Sequence, residues 1–210
     1  MGRWDRVRSA VQNAASRVKE RADDSTFAKI RRAVSEIGSR RARVPVAHLR
    51  RVAMEVPGVT AVSLAIVPRD EGWALGIDLD LSEGRQVRAE LVPLRAQFAR
   101  GGAKELSFTV TPEASAAEPA MRELTGAFAA AIARMLWSAS LPPATSAHES
   151  GLVDREGTEL RIDLRTVPAV RSAMARGPAV AMLLEVITPE AIEVDADGLV
   201  IRINLPQLTP

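Results

Sequence analysis

Cysteine and tyrosine do not occur anywhere in the 210 residues, histidine occurs twice, and Lys19, Lys29 and Lys104 are the only lysines. Without thiols there can be no disulfide, no thiolate metal centre and no cysteine nucleophile, which suits a reducing compartment. Aromatics are 3% of the chain. The core must therefore come from Val, Ile, Leu and Ala, and the strands carry no paired aromatics on which bases could stack. No charge-free run approaches the roughly 20 residues of a membrane-spanning helix; the uncharged stretches 56–68 and 124–133 are far too short. Charges at Arg3, Asp5, Arg6 and Arg8 interrupt the apolar run that a signal peptide would need. The expectation is a cytoplasmic protein whose membrane contact, if it has any, is peripheral.

Motifs for chemistry are equally sparse. His48 falls among arginines and His148 in a polar stretch, and neither has a second ligand at metal-binding spacing. Asp78, Asp80 and Asp163 occupy alternate positions of strand-like segments, where a solvated face already demands polar residues. There is no G-x-S-x-G elbow and no phosphate-loop glycine pattern. No catalytic residue, metal ligand or cofactor is assigned, and the expectation is a non-enzymatic protein.

What the chain does have is an uneven division of charge. Residues 1–51 hold 14 Lys and Arg against 5 Asp and Glu, a balance of +9. The remainder holds 14 against 21, a balance of −7. A basic leading segment on an acidic body points to an anionic partner: lipid headgroups, nucleic acid or an acidic protein face. Trp4, Val7, Val11, Ala14, Val18 and Ala22 recur at helical steps of three and four. Basic side chains flank this stripe on both sides, so that arginines could reach headgroups while the stripe enters the interface. The candidate anionic-surface residues are Arg3, Trp4, Arg6, Arg8, Arg17, Lys19 and Arg21. A second helix is predicted with Phe27, Ile30, Val34 and Ile37 on its apolar face. Arg40, Arg41 and Arg43 then read as a basic connector, before a third helix over 45–56.

Period-two alternation follows. Val62, Leu64 and Ile66 are succeeded by Leu75, Ile77, Leu79 and Leu81, then Val87, Ala89 and Leu91, then Leu94, Ala96 and Phe98, and finally Leu106, Phe108 and Val110. Glycine-containing turns separate these runs except at Pro93, which stands between Leu91 and Leu94, the signature of an antiparallel meander with one dry face. Residues 118–138 read as a long helix with Met121, Leu124, Phe128, Ile132 and Met135 on its core stripe, suited to cover the dry face. A Ser/Pro/Ala linker over 138–150 precedes the last third. The segments GWALGIDL (72–79), GTELRIDL (157–164) and GLVIRINL (198–205) share the form G-x-x-[LI]-x-I-[DN]-L, each after an acidic residue. This pattern predicts three hairpins whose turn glycine takes a positive φ ahead of an amphipathic strand. The first and third copies also follow Pro-led helical segments beginning at Pro45 and Pro168.

From Pro168 onward, a helix, an apolar stretch at 180–187 and the hairpin from Ile192 to Leu205 resemble the closing hairpin of small bacterial tubular lipid-binding domains of the TULIP type. That resemblance implies a curved sheet wrapped around a helix, with a cleft between them for an acyl chain or similar apolar ligand. Leu75, Ile77, Leu79, Phe98, Phe108 and Phe128 are the candidates to line the cleft.

The expectation from sequence is an α+β protein: an antiparallel β-meander sheet packed on a long helix, with an N-terminal helical arm. The arm is placed at 1–43 and the body at 44–210. The expected role is a binding module that holds an apolar ligand or protein partner and attaches to an anionic membrane surface through the arm. Oligomerisation through the N-terminal helices and nonspecific nucleic-acid binding by the arm stand as alternatives.

Overall fold

A computed structural model describes residues 41–99, 102–137, 141–142, 148–176 and 188–204. The protein is α+β with antiparallel sheets. The chain opens with strand β1 (Arg41–Pro45) and helix α1 (Val46–Met54), followed by β2 (Val59–Arg69), β3 (Gly72–Leu81), β4 (Gln86–Phe98) and β5 (Lys104–Thr111). Two helices come next, α2 (Glu113–Ala117) and α3 (Pro119–Trp137). The rest comprises β6 (Val153–Glu156), β7 (Glu159–Asp163), a 3-10 turn at Leu164–Thr166, α4 (Pro168–Ala175), β8 (Thr188–Asp195) and β9 (Gly198–Asn204).

Alternation dictates the large sheet, whose order is β2-β3-β4-β5-β7-β6. On β3, Leu75, Ile77, Leu79 and Leu81 are buried while Asp78 and Asp80 are exposed. Antiparallel pairing aligns them with like residues across the strands: Leu64 opposes Ile77, Leu75 opposes Leu91, and Leu91 opposes Val110. The sheet therefore has one dry face. Pro93 does not end a strand. β4 runs through it, with the register slipping between Pro93 and Arg95. A bulge is where a sheet tolerates a residue with no N–H to donate.

The remaining strands form a second sheet of order β1-β9-β8. Residues 41–45 form its edge, where the sequence predicts a basic connector at Arg41 and Arg43 and a helix start at Pro45, and Arg43 pairs in register with Val200. The 43/44 boundary between arm and body thus falls inside β1. The alternation Arg41-Ala42-Arg43-Val44 is strand-like, with Val44 buried and both arginines exposed. Its partner lies more than 150 residues away, so nothing local reveals it. All three motif glycines take positive φ, at 92° for Gly72, 59° for Gly157 and 155° for Gly198. At Gly198 a Cβ would also meet the Val44 carbonyl oxygen at 2.2 Å, so the turn needs glycine for space as well as for dihedral angle.

Helix α3 is buried almost all round. Thirteen of its nineteen residues are buried, among them Leu124, Phe128, Ile132, Leu136 and Trp137. Burying each such large side chain stabilises the fold by about 1.5–3 kcal/mol. Ala127, Ala129, Ala130, Ala131 and Ala133 keep the helix thin, so that α1, β1, α2, α4 and the β6–β7 hairpin all approach it. β8 of the small sheet lies against β3 and β4 of the large one. Both sheets and α3 contribute to one hydrophobic cluster.

Candidate functional site

The seven arm residues Arg3, Trp4, Arg6, Arg8, Arg17, Lys19 and Arg21 lie outside the described residues. Of the six proposed to line an apolar cleft, five lie in the closed core. Leu75, Ile77 and Leu79 are 1% exposed, and Phe108 and Phe128 are fully buried. Phe98 is half-buried at the edge of the same cluster. The side chains are brought together, but packed against one another.

An open groove of about 480 Å³ lies instead on the solvent face of the large sheet, lined in part by Ser63, Ala65, Gly76, Asp78, Arg88 and Glu90. Its floor follows from two cross-strand rows, Ala65–Gly76–Glu90–Thr111 and Ser63–Asp78–Arg88. Small side chains on β2 and β3 leave the surface low. A Cβ on Gly76 would sit 2.8 Å from Val67 Cγ2, so the missing side chain is what lets Val67 lean inward. Asp78 accepts a hydrogen bond from Arg88 at 2.6 Å, and Arg69 pairs with Glu90 at 3.5 Å. Both pairs are largely exposed, and such pairs contribute little to stability.

Pairing with arginine recurs over the body. Arg95 spans Glu105 and Glu159, Arg161 meets Glu156 and Glu159, Arg85 joins Glu83 to Glu118, and Arg43 holds Asp195 and Asp197. The Arg161 guanidinium holds the Glu159 carboxyl below its usual range. Asp163, whose side chain caps the 3-10 turn through the Arg165 N–H at 3.0 Å, is also depressed. Burial pushes it upward, but the Arg165 side chain and the backbone N–H groups of Arg165 and Lys104 outweigh that. Asp80 takes a hydrogen bond from Gln86 at 2.9 Å. The three sequence-flagged aspartates thus have separate local partners and do not converge. Among the described residues no group of three or more His, Asp or Glu could hold a metal ion.

Neither histidine stands free on the surface. His48 Nδ1 lies 2.7 Å from an Arg51 guanidinium nitrogen, and burial together with that charge lowers its pKa despite Glu55. His148 Nε2 lies 3.4 Å from Glu123 of α3. Around it, residues 148–151 are clamped onto the helix. Arg134 donates to Glu149 at 2.7 Å, and the Gly151 N–H donates to the Gly126 carbonyl at 3.2 Å. The end of the predicted linker is thus a packed segment, made possible by two facing glycines.

Five arginines have no carboxylate partner within 4 Å among the described residues, Arg41 left aside: Arg50, Arg51, Arg122, Arg171 and Arg176. Four of them lie on, or at the end of, the two Pro-led helices α1 and α4. Sequence reasoning missed these because arginine is common throughout, and only geometry shows which guanidiniums are neutralised. No described helix is long and apolar enough to cross a membrane. No family model, curated protein or solved structure matches the chain.

Proposed function

We propose that the protein is a non-enzymatic binding module that attaches peripherally to an anionic membrane surface through its basic N-terminal segment. One observation carries the reading. Many carboxylates of the acidic body engage arginines of the body itself, as in Asp78–Arg88 and Glu159–Arg161, and the basic block stands apart from them in sequence. The surplus of nine positive charges is concentrated in residues 1–51, and an external polyanion is a natural counterpart for so dense a basic segment. Protein partners are the better-supported cargo of the body. An apolar ligand would have to displace core side chains that are 0–1% exposed.

The test is vesicle flotation of the full chain against a variant with Arg3, Arg6, Arg8, Arg17, Lys19 and Arg21 all changed to Gln. The wild type should float with vesicles of phosphatidylglycerol and phosphatidylcholine, less so at high salt. It should not float with phosphatidylcholine alone, and the variant should not float with either. Equal flotation of both proteins on anionic vesicles, or of neither, refutes the reading.

Assembly is the second reading, and the sheet edges favour it. β6, at one edge, is four residues long and carries Asp154, Arg155 and Glu156. β2, at the other, is eleven residues long and uncharged from Val59 to Pro68. Natural edges are usually short or charged because open ladders template pairing with another chain. β2 is neither short nor charged along most of its length; α1 packs on it and Arg50 donates to the Leu64 carbonyl, and the rest of the edge is what antiparallel pairing with a second copy would use.

A further inference from the structure

The free edge of β2 limits how a second copy can pair with it. β2 and β3 are joined by a two-residue turn at Asp70 and Glu71, across which Arg69 opposes Gly72. Such a turn is closed by a hydrogen-bonded pair, and hydrogen-bonded and non-hydrogen-bonded pairs then alternate down the ladder. Ser63, Ala65 and Val67 therefore direct their backbone groups at β3. In keeping with this, the Ala65 carbonyl oxygen lies 3.5 Å from where a Cβ on Gly76 would stand. Val62, Leu64, Ile66 and Pro68 direct theirs outward. Two of these outward positions differ from the others. Pro68 has no N–H to donate, and the Leu64 carbonyl already accepts from Arg50 at 3.3 Å.

We infer that two copies pair antiparallel through β2 about a two-fold axis at Ile66, so that Ile66 meets Ile66 of the second copy and Leu64 meets its Pro68. The inference rests on the assembly reading above and adds the register. The two Ile66 residues exchange both backbone hydrogen bonds, and each Leu64 N–H donates to a Pro68 carbonyl. The donor that Pro68 lacks falls opposite a carbonyl that Arg50 already satisfies. An axis at residue 65 or 67 would set Pro68 against Val62 or Ile66 instead, leaving a carbonyl there without a donor. An axis at residue 63 or 64 would bring the two Arg50 guanidiniums together, like charge against like. The Ile66 register also matches charge between the copies. It aligns Asp70 with Val62 of the second copy, about 7 Å along the strand from the carbonyl that Arg50 holds. Asp70 and Glu71 are exposed, and among the described residues neither has a basic partner within 4 Å, just as Arg50 and Arg51 have no acidic one. The half of β2 that pairs lies away from the α1–β2 connection at 55–58.

The chain has no cysteine, so single-cysteine variants of the full chain read the register directly. A hydrogen-bonded antiparallel pair sets its Cα atoms about 5.5 Å apart, inside disulfide range. Ile66 and Val62 are both half-buried. Under oxidised glutathione, Ile66→Cys should form a covalent dimer. Val62→Cys should not, because its two copies would stand about 27 Å apart along the strands. Sedimentation equilibrium supplies a second readout. Arg50→Ala orphans a carbonyl at each of two symmetric positions, each weakening dimerisation about fivefold or more, so the dissociation constant should rise by at least about 25-fold. Adding Pro68→Ala restores an N–H opposite Leu64 and should recover most of that loss. If wild type dimerises but Val62→Cys crosslinks as readily as Ile66→Cys, the register falls and the assembly reading stands. Dimerisation of Arg50→Ala at wild-type strength, or no recovery on adding Pro68→Ala, has the same consequence. A wild type monomeric at every concentration ends both.

Discussion

Glycine to alanine in the middle of a helix ordinarily stabilises a protein, by about 1 kcal/mol. At Gly126 of α3 the structure demands the opposite sign. A Cβ there would lie 2.2 Å from Ser150 Oγ, 2.5 Å from the Gly151 carbonyl oxygen and 3.2 Å from the Gly151 nitrogen. The hydroxyl can rotate away, but the carbonyl is backbone and must retreat by roughly 1 Å to reach ordinary contact, at a cost of about 1–3 kcal/mol. The retreat also loosens the Gly151 N–H to Gly126 carbonyl hydrogen bond at 3.2 Å, worth about 0.5–1.5 kcal/mol. Set against the propensity gain, Gly126→Ala should destabilise by about 0.5–3.5 kcal/mol. For a chain of this size that lowers Tm by roughly 1–14 °C. Thermal unfolding followed by circular dichroism measures it. Adding Ser150→Ala should recover only part of the loss, because the closest backbone contact remains. A higher Tm for Gly126→Ala would refute the packing of residues 148–151 on the helix and, with it, the reading of this segment as part of the core.

Two further outcomes follow from named groups. Asp163 has a folded-state pKa below its unfolded value, so its contribution is present above the usual carboxylate range and disappears as pH falls through the folded value. Removing the cap with Asp163→Ala should cost about 1 kcal/mol at pH 7, and urea unfolding should show the gap between variant and wild type closing at pH 2–3. A gap of the same size at both pH values would deny the carboxylate its part. For the β2 edge, analytical ultracentrifugation should show wild type associating as concentration rises and Ser63→Lys remaining monomeric; a wild type that is monomeric throughout rules out self-pairing.

Much of the sheet was legible because its signal is local. Alternation at Leu75, Ile77, Leu79 and Leu81 survives into burial because each strand has one dry face, and the three motif glycines announce hairpin turns that only a residue without Cβ takes freely. Reading failed where the deciding partner was distant. Residues 41–43 look like a connector until β9 arrives to pair with them. The runs on either side of Pro93 look separate until the bulge joins them in one strand. The apolar residues chosen for a cleft were chosen for being apolar, which a lining and a solid core share; only packing tells them apart.

By itself, the amino-acid order determined an α+β chain built from aliphatic side chains, its period-two strands, its turn glycines and its opposed charge blocks, since each depends on residues near in sequence. Tertiary structure decided that α3 is enclosed rather than laid on a surface, that the third hairpin leaves the large sheet to join β1, and which arginines keep their charge unneutralised. Those outcomes depend on close approach between segments far apart in the chain: small residues such as Ala127, Gly126 and Gly151 permit contact, and only contact reveals which polar groups are satisfied.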